Sequence, residues 1–302
     1  MRIAITASTF DPDNLPASLA ACDLVRNDTG RRPDREGVLA LVDPDVVGVI
    51  AGLEPYDATV LTHATSLQAI SRIGTGVDNV DLDAAAARHV QVLRTPDAPT
   101  NAVAELTIGM ILAGLRHLVP HHRSVTDGTW RARPGGLLEG RTVGLIGAGR
   151  IAREVAQRIA PFGADVIAND PFVDPADVPF PLVDLDTLLR TSDIVSLHVP
   201  GQDDPQPLLD AARLALLPHG AMVINTARGG LVDEAALAAG LRDGALAFAG
   251  VDAFVDEPYA GELCALDNVL LTPHVGSNTR ETRRAMEREA AHNLARALGL
   301  DG

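Results

Sequence analysis

Arginine, glutamate and histidine side chains occur in three separate turn-like segments in the last third of the chain. Arg228 precedes a Gly-Gly pair, Glu257 precedes a proline, and His274 ends a Thr-Pro-His triplet. An imidazolium can protonate a developing alkoxide, a neighbouring carboxylate stabilises and orients that imidazolium, and a guanidinium fork suits a 2-oxo carboxylate. If the fold brings these three side chains together, their chemistry favours the reduction of a carbonyl group that adjoins a carboxylate. Each residue alone is more often part of a surface ion pair or a turn.

Hydride chemistry needs a cofactor, and one segment has the pattern of a dinucleotide site. The apolar run 142–146 leads into Gly147-Ala-Gly-Arg-Ile-Ala152 and then into a helical pattern. The first glycine permits a tight turn, the second lets a pyrophosphate approach the backbone at a helix N-terminus, and Ala152 allows close helix packing. Asp170, about 20 residues further on, suits the ribose hydroxyls. Phe172 follows, and no arginine lies nearby in the sequence to hold a 2′-phosphate, so the sequence favours NAD over NADP.

The candidate catalytic and cofactor residues should lie at the carboxyl ends of parallel strands, because doubly wound sheets bind their ligands there. Apolar runs alternate with helical patterns along the chain, which predicts an α/β fold with largely parallel sheets. A nearly all-apolar helix is predicted from 101 to about 118, and a final helix over about 279–298 mixes arginine and glutamate as a solvated face does. The predicted strands are 2–7, 46–51, 68–73, 90–93, 142–146, 165–169, 194–199, 221–225, 246–251 and 269–272.

Composition narrows the classes of function. The 302 residues carry a formal net charge of −15, and all 25 basic residues are arginines. The lack of lysine excludes Schiff-base chemistry, pyridoxal-phosphate attachment and a P-loop lysine. The acidic balance argues against nucleic-acid and membrane partners and favours a small-molecule ligand. Two distant cysteines and no recognisable export signal predict a reducing cytoplasm. The pair His121-His122 lacks a third ligand, so no metal site is predicted.

Several motifs together resemble the D-isomer-specific 2-hydroxyacid dehydrogenases over nearly the whole chain. They are Arg72-Ile-Gly-Thr-Gly-Val-Asp-Asn-Val-Asp81, Asn101-Ala-Val-Ala-Glu-Leu-Thr107, Gly144-Leu-Ile-Gly-Ala-Gly-Arg-Ile151, Asn225-Thr-Ala-Arg-Gly-Gly-Leu-Val-Asp-Glu234, Asp252 with Glu257-Pro258, and Thr272-Pro-His274. The resemblance implies that Arg228 binds the substrate carboxylate and carbonyl and that Glu257 is the partner of His274, the acid/base. It also implies that the backbone amides of Gly74, Thr75, Gly76 and Val77 bind the substrate carboxylate, and that Asp252 contacts the nicotinamide amide. The cofactor-binding residues expected on this basis are Gly147, Gly149, Arg150, Ile151, Asp170, Val199, Pro200, Thr226, Ala227, Asp252 and Gly276.

The same resemblance implies an architecture that periodicity alone does not reveal. Two Rossmann-like domains are expected, with a doubly wound NAD-binding domain (99–275) inserted into a flavodoxin-like substrate domain (1–98 and 276–302). A homodimer that associates through the NAD-binding domains is expected as well.

The substrate is less closely defined. Among family members, the sequence Gly-Thr-Gly-Val-Asp-Asn-Val-Asp is most similar to the D-3-phosphoglycerate dehydrogenases. Because the sequence ends at Gly302, we expect a short form without their C-terminal regulatory extension. Those enzymes usually carry an arginine for the phosphate after the third strand, where this chain reads Ala51-Gly-Leu-Glu-Pro55. The leading hypothesis is therefore an NAD-dependent D-2-hydroxyacid dehydrogenase of undetermined substrate. The alternatives are D-3-phosphoglycerate dehydrogenase itself and, in another class, an NAD-sensing interaction protein like the corepressors that share this fold.

Overall fold

The computed structural model describes residues 1–201 and 206–300, which form two compact units. Unit 1 comprises Met1–Pro99 and the segment that begins at Ser277, and unit 2 comprises Thr100–Gly276. Across the described ranges no single helix has the length and apolar character needed to cross a membrane. Within the same described ranges, the helices Thr100–Leu115 and Leu118–Thr126 meet both criteria only when they are taken together, and this pair is bent by 64°.

Unit 1 is built on a five-stranded parallel sheet of order β2-β1-β3-β4-β5. This is the flavodoxin-like order, in which the chain crosses from one half of the sheet to the other between β1 and β3. Asp34, Asp57 and Asp81 cap α2, α3 and α4 by accepting backbone N–H bonds. The elements are β1 (Arg2–Ile5), α1 (Ala17–Ala20), β2 (Asp23–Arg26), α2 (Arg35–Leu41), β3 (Val46–Ala51), α3 (Ala58–His63), β4 (Ala69–Arg72), α4 (Leu82–Ala87) and β5 (Gln91–Arg94).

The C-terminal helix, Arg280–Ala297, belongs to unit 1 and packs on β3, β4 and β5. Most of its buried residues are small or apolar, among them Met286, Ala290, Ala291 and Leu294. The helix lies so close to β3 that a Cβ at Gly48 would be 3.0 Å from a methyl group of Leu294. The expectation that the charged residues of this helix are all solvated is wrong at one position, because Glu287 is only 5% exposed.

Unit 2 is built on a six-stranded parallel sheet of order β11-β10-β9-β8-β6-β7. The chain adds β7 on one side of β6 and β8 to β11 on the other, so the sheet is doubly wound about the β6–β8 boundary. A single parallel bridge from Leu182 to Ala168 adds a rudimentary strand outside β7. The elements are α5 (Thr100–Leu115), α6 (Leu118–Thr126), β6 (Thr142–Ile146), α7 (Arg150–Ile159), β7 (Asp165–Asn169), α8 (Leu185–Thr191), β8 (Ile194–Leu197), α9 (Ala211–Leu214), β9 (Ala221–Asn225), α10 (Glu234–Arg242), β10 (Leu246–Val251) and β11 (Val269–Leu271).

The predicted α/β class with two Rossmann-like parallel sheets is confirmed. The long apolar helix is shorter than predicted, because α5 ends at Leu115 and His117 adopts a left-handed conformation with φ of 50° before α6 begins. The strand β2 was not predicted from the sequence. It has four residues, Asp-Leu-Val-Arg, whose two ends are exposed, and it forms the edge of the sheet.

Candidate active site

The glycine-rich turn joins β6 to α7 at the boundary about which the unit 2 sheet is wound. Gly147 has φ of 98°, which favours glycine, and its N–H donates to the Asn169 carbonyl at 2.8 Å. A Cβ on Gly147 would lie 2.6 Å from the carbonyl oxygen of His198, just after β8. The turn is therefore wedged between the ends of β7 and β8 and requires glycine at this position.

Gly149 is the N-cap of α7 and, as a glycine, has no side chain that could cap the helix. A Cβ built there would have no heavy atom within 4 Å, so open space adjoins the first turn of a ten-residue helix. Asp170 lies beside the turn, where its carboxylate accepts from Ala148 N at 2.9 Å and from Phe172 N at 3.0 Å. A helix N-terminus facing open space with a fixed carboxylate beside it fits a dinucleotide diphosphate and ribose.

The other predicted cofactor residues surround the same sheet edge in unit 2. Arg150 and Ile151 form the first turn of α7, Val199 contacts the Gly147 turn, and Pro200 is exposed beyond β8. Thr226 follows β9 and is nearly buried, with its hydroxyl 2.9 Å from that of Thr107 on α5. Thr107 in turn donates to the Val103 carbonyl, so this contact fixes the start of the Arg228 loop against α5.

Arg228 lies three residues beyond β9 in an extended conformation and is partly buried. The buried amide of Asn225 fixes this loop: its Nδ2 donates to the Arg228 carbonyl at 2.8 Å and its Oδ1 accepts from Ala227 N at 3.1 Å. The Arg228 guanidinium donates to the Ala227 carbonyl at 2.9 Å. Asn225 was not identified as a functional residue from the sequence, although a polar amide at the end of an apolar strand was an available signal.

The side chains of His274 and Glu257 are hydrogen-bonded to each other. Nδ1 of His274 lies 2.9 Å from Oε1 and 3.1 Å from Oε2 of Glu257. The Glu257 carboxylate also accepts from Phe254 N at 3.1 Å, which fixes it within its own loop. His274 has φ of 52°, a left-handed conformation that non-glycine residues seldom adopt. The two side chains are 47% and 40% exposed, so a substrate can reach them.

Asp252, at the end of β10, holds the segment that carries His274. It is 1% exposed and accepts from Thr272 Oγ1, from Val275 N at 2.8 Å and from Gly276 N at 2.8 Å. The three donors flank His274 on both sides. The buried carboxylate therefore joins the β10 and β11 loops, which was not deduced from the sequence.

Gly229 is the point at which the loop that carries Arg228 contacts the loop that carries Glu257. A Cβ there would lie 1.9 Å from the Phe254 carbonyl carbon and 2.2 Å from Val255 N, so only glycine lets the Arg228 loop touch the loop of Glu257. Because β9, β10 and β11 are neighbours in the sheet, their carboxyl ends deliver Arg228, Glu257 and His274 to one edge. The structure thus brings the three predicted catalytic residues into adjoining loops.

In unit 1, the loop after β4 contains the four predicted substrate-binding amides. The N–H of Gly74 donates to Thr95 Oγ1 at 2.8 Å, so it is not available to bind a substrate carboxylate. Within the described residues, the N–H groups of Thr75, Gly76 and Val77 have no hydrogen-bond partner. The prediction for an anion site at this loop therefore narrows to those three amides.

The neighbouring loop after β3 contains a buried acid. Glu54 is 1% exposed, and its Oε1 accepts from Thr6 Oγ1 at 2.5 Å and from Gly52 N at 2.7 Å. The Tyr56 hydroxyl lies 2.5 Å from Thr6 Oγ1, and burial together with the Glu54 charge raises the pKa of Tyr56 well above its usual value. Oε2 of Glu54 has no hydrogen-bond partner among the described residues. The Asn79 amide donates to the Gly52 and Glu54 carbonyls, so the β3 and β4 loops are in contact.

In the described part of the chain, no three His, Cys, Asp or Glu side chains lie close enough together to hold a metal ion. Nε2 of His121 accepts instead from Arg133 N at 3.0 Å. His198 contacts the Ser196 hydroxyl at 2.9 Å, and burial lowers its pKa to about 4. Neither histidine has the surroundings of the His274 pair.

A glycine turn at a doubly wound sheet and an Arg, Glu and His set at the same sheet edge define a dinucleotide-dependent oxidoreductase. The family model for "D-isomer specific 2-hydroxyacid dehydrogenase, NAD binding domain" matches residues 108–276. The chain belongs to this family, and it is an NAD-dependent enzyme of the D-2-hydroxyacid dehydrogenase class.

Three relatives show the range of the family. The hydroxypyruvate reductase of Thermotoga maritima is 36% identical over 278 residues, which cover 90% of this chain and 91% of the relative. The D-3-phosphoglycerate dehydrogenase of Mycobacterium tuberculosis is 39% identical over 272 residues, 88% of this chain but only 52% of that enzyme, so the chain spans about half its length. A crystal structure of a glyoxylate reductase from Paecilomyes thermophila matches with a TM-score of 0.90 at 28% identity, over 99% of this chain and 95% of that one.

Proposed function

We propose that His274 is the acid/base of the reaction, that Glu257 orients it, and that Arg228 binds the carboxylate and carbonyl of a 2-oxo acid. Bound NADH supplies the hydride. His274 gives a proton to the carbonyl oxygen as negative charge develops there, and takes it back in the reverse direction. The Arg228 guanidinium presents a planar, permanently charged fork to the substrate oxygens. Glu257 stabilises the imidazolium between proton transfers.

The proposal rests on the bond between His274 Nδ1 and Glu257. A carboxylate can only accept, so Nδ1 carries a proton, and Nε2 is the nitrogen left to exchange a proton with substrate. Within the described residues Nε2 makes no hydrogen bond. The pair is thus oriented and half exposed, as an acid/base must be.

We propose that unit 1 is the substrate domain, that unit 2 binds NAD, and that the substrate is a small unphosphorylated 2-oxo acid. The amides of Thr75, Gly76 and Val77 would bind its carboxylate. The adjoining loop after β3, in which phosphoglycerate enzymes usually carry an arginine, contains the buried Glu54 instead, and a buried acid disfavours a nearby phosphate. Hydroxypyruvate and glyoxylate are the first candidates, because two proteins matched over more than 90% of their length are named a hydroxypyruvate reductase and a glyoxylate reductase.

D-3-phosphoglycerate dehydrogenase is the second candidate. It is supported by the 39% identity to the mycobacterial enzyme and opposed by Glu54.

We further propose a homodimer formed through unit 2. Four large apolar side chains on α6 and the segment after it are more than half exposed, namely Leu118, Val125, Trp130 and Leu137. Burial of these side chains against a second copy would remove them from water. The cytoplasm is the proposed compartment, supported by the two unpaired cysteines.

The test is NADH oxidation by purified protein with glyoxylate, hydroxypyruvate, pyruvate, 2-oxoglutarate and phosphohydroxypyruvate, with NADPH in parallel. Turnover of an unphosphorylated acid that Arg228→Ala lowers at least 100-fold, with NADH binding retained, supports the proposal. A preference for phosphohydroxypyruvate establishes the second candidate. Equal activity of Arg228→Ala overturns the role of Arg228.

A further inference from the structure

Unit 1 contains a cleft whose walls are rich in arginine. It has a volume of about 670 Å³ and lies among the loops after β1 and β2 and the first turns of the C-terminal helix. Its lining includes Arg26, Arg280, Arg283 and Arg284. Four guanidinium groups around one cleft are notable in a chain with a formal charge of −15.

A buried carboxylate organises one wall of this cleft. Oε2 of Glu287 accepts from Asp11 N at 3.0 Å and from Asn14 Nδ2 at 2.8 Å, and its Oε1 pairs with Arg283 at 3.0 Å. Arg283 also donates to the carbonyl and hydroxyl oxygens of Thr9 at 2.6 and 2.7 Å. The loop after β1 is thereby fixed to the helix, so contacts within the protein define this wall.

The charges of the cleft are only partly compensated. Asp28 lies 3.4 Å from Arg26, and Glu287 is used by Arg283. The third acid of the lining, Asp11, accepts from Asp13 N. Over residues 1–201 and 206–300, neither Arg280 nor Arg284 has an ion-pair or hydrogen-bond partner through its side chain. The 18-residue helix starts at the same place and adds the positive end of its dipole.

The cleft is separate from the predicted amide site in the same unit. The amides of Thr75, Gly76 and Val77 follow β4, whereas the cleft adjoins the ends of β1 and β2, and β3 lies between β1 and β4. At about 4.8 Å per strand, β1 and β4 are roughly 10 Å apart. A three-carbon acid cannot reach both places at once.

We propose that this cleft binds a second small molecule through a phosphoryl group, independently of the 2-oxo acid. Planar guanidinium forks pair with phosphate oxygens in bidentate fashion, and the helix N-terminus favours the same charge. Arg280 and Arg284 are the ligand-binding side chains, and Arg283 is the positioning residue that Glu287 holds.

The test is calorimetric titration of the NADH-saturated protein with pyrophosphate, so that the glycine turn of unit 2 is already occupied. The double variant R280Q/R284Q is compared with R190Q/R296Q, which removes the same two charges from exposed positions outside the cleft. We expect pyrophosphate to bind the parent protein and R190Q/R296Q equally, and R280Q/R284Q at least tenfold more weakly. Hydrogen exchange should slow in residues 8–14 and 278–284 when pyrophosphate is present.

Equal binding by the two double variants, or no binding by the parent protein, would overturn the proposal. Citrate that binds as tightly as pyrophosphate would overturn the assignment to a phosphoryl group. Because binding is measured without turnover, this result is independent of which 2-oxo acid the enzyme reduces.

Discussion

Both carboxylate oxygens of Glu257 lie within hydrogen-bonding distance of His274 Nδ1, at 2.9 and 3.1 Å. The carboxylate is itself held by the backbone N–H of Phe254, so the orientation of the imidazole is set by the β10 loop although His274 follows β11. Acid/base function at His274 should therefore depend on residues that never touch the substrate.

Glu257→Gln should lower kcat by roughly 100-fold, because the amide cannot stabilise an imidazolium as a carboxylate does. The dissociation constant for NADH should change little, since Glu257 is outside the glycine turn. Steady-state kinetics and NADH fluorescence titration check both values. Glu262→Gln, which removes an exposed ion pair with Arg242, is the matched control and should keep full activity. A Glu257→Gln enzyme with the parent kcat would contradict the pairing.

Gly229→Ala should disrupt the site, whereas Gly230→Ala should not. A Cβ at Gly229 would lie 1.9 Å from the Phe254 carbonyl carbon, while one at Gly230 would have no heavy atom within 4 Å. The Arg228 loop and the Glu257 loop must then separate, so Gly229→Ala should lose most activity and melt at a lower temperature. Calorimetry and kinetics of the two variants make the comparison, and similar behaviour of both would show that the loop contact is unimportant.

Much of the fold could be predicted because buried parallel strands leave apolar runs in the sequence. All but one of the strands correspond to such runs, and the exception is instructive. The edge strand β2 has charged, exposed ends at Asp23 and Arg26, so it carries little apolar pattern, and its pairing with β1 depends on tertiary structure.

The placement of Arg228, Glu257 and His274 at one sheet edge could be predicted, because distinctive polar residues follow apolar strand patterns in the sequence. The residues that support them could not, because their roles depend on distances across the fold. Asn225 and Asp252 act through bonds to backbone groups, which no motif shows. Glu287 resembles a solvated helix residue in sequence, yet it is buried by a loop more than 270 residues earlier in the chain.

Asp252→Asn should loosen the His274 segment. One carboxylate oxygen accepts from Val275 N and the other from Gly276 N, and an amide nitrogen in place of either oxygen would leave a buried or partly buried N–H unpaired. The expected cost is about 1–3 kcal/mol. The melting temperature should fall and hydrogen exchange across residues 272–276 should accelerate. Asp256→Asn, at an exposed neighbouring position, should show neither change. Unaltered exchange in Asp252→Asn would contradict the supporting role.

His198 should make the protein less stable in acid. Burial lowers its pKa from 6.5 to about 4, so the unfolded chain binds the proton more tightly than the folded one. Its contribution to stability is complete above about pH 6.5 and is lost as the pH falls toward 4. Urea unfolding at pH 7.5 and pH 4.5 should show a decrease roughly 2 kcal/mol larger for the parent protein than for His198→Gln. Parallel losses in the two proteins would mean that His198 is not the titrating group.

Gly149→Ala should separate cofactor binding from folding. Gly149 has φ of −73°, which alanine adopts readily, and a Cβ there meets no heavy atom within 4 Å, so the melting temperature should stay near the parent value. The methyl group would occupy the space proposed for the diphosphate, and the dissociation constant for NADH should rise at least tenfold. Gly147→Ala is the contrasting variant, because its φ of 98° and a Cβ 2.6 Å from the His198 carbonyl oxygen predict loss of stability as well. Tight NADH binding by a folded Gly149→Ala protein would place the diphosphate elsewhere.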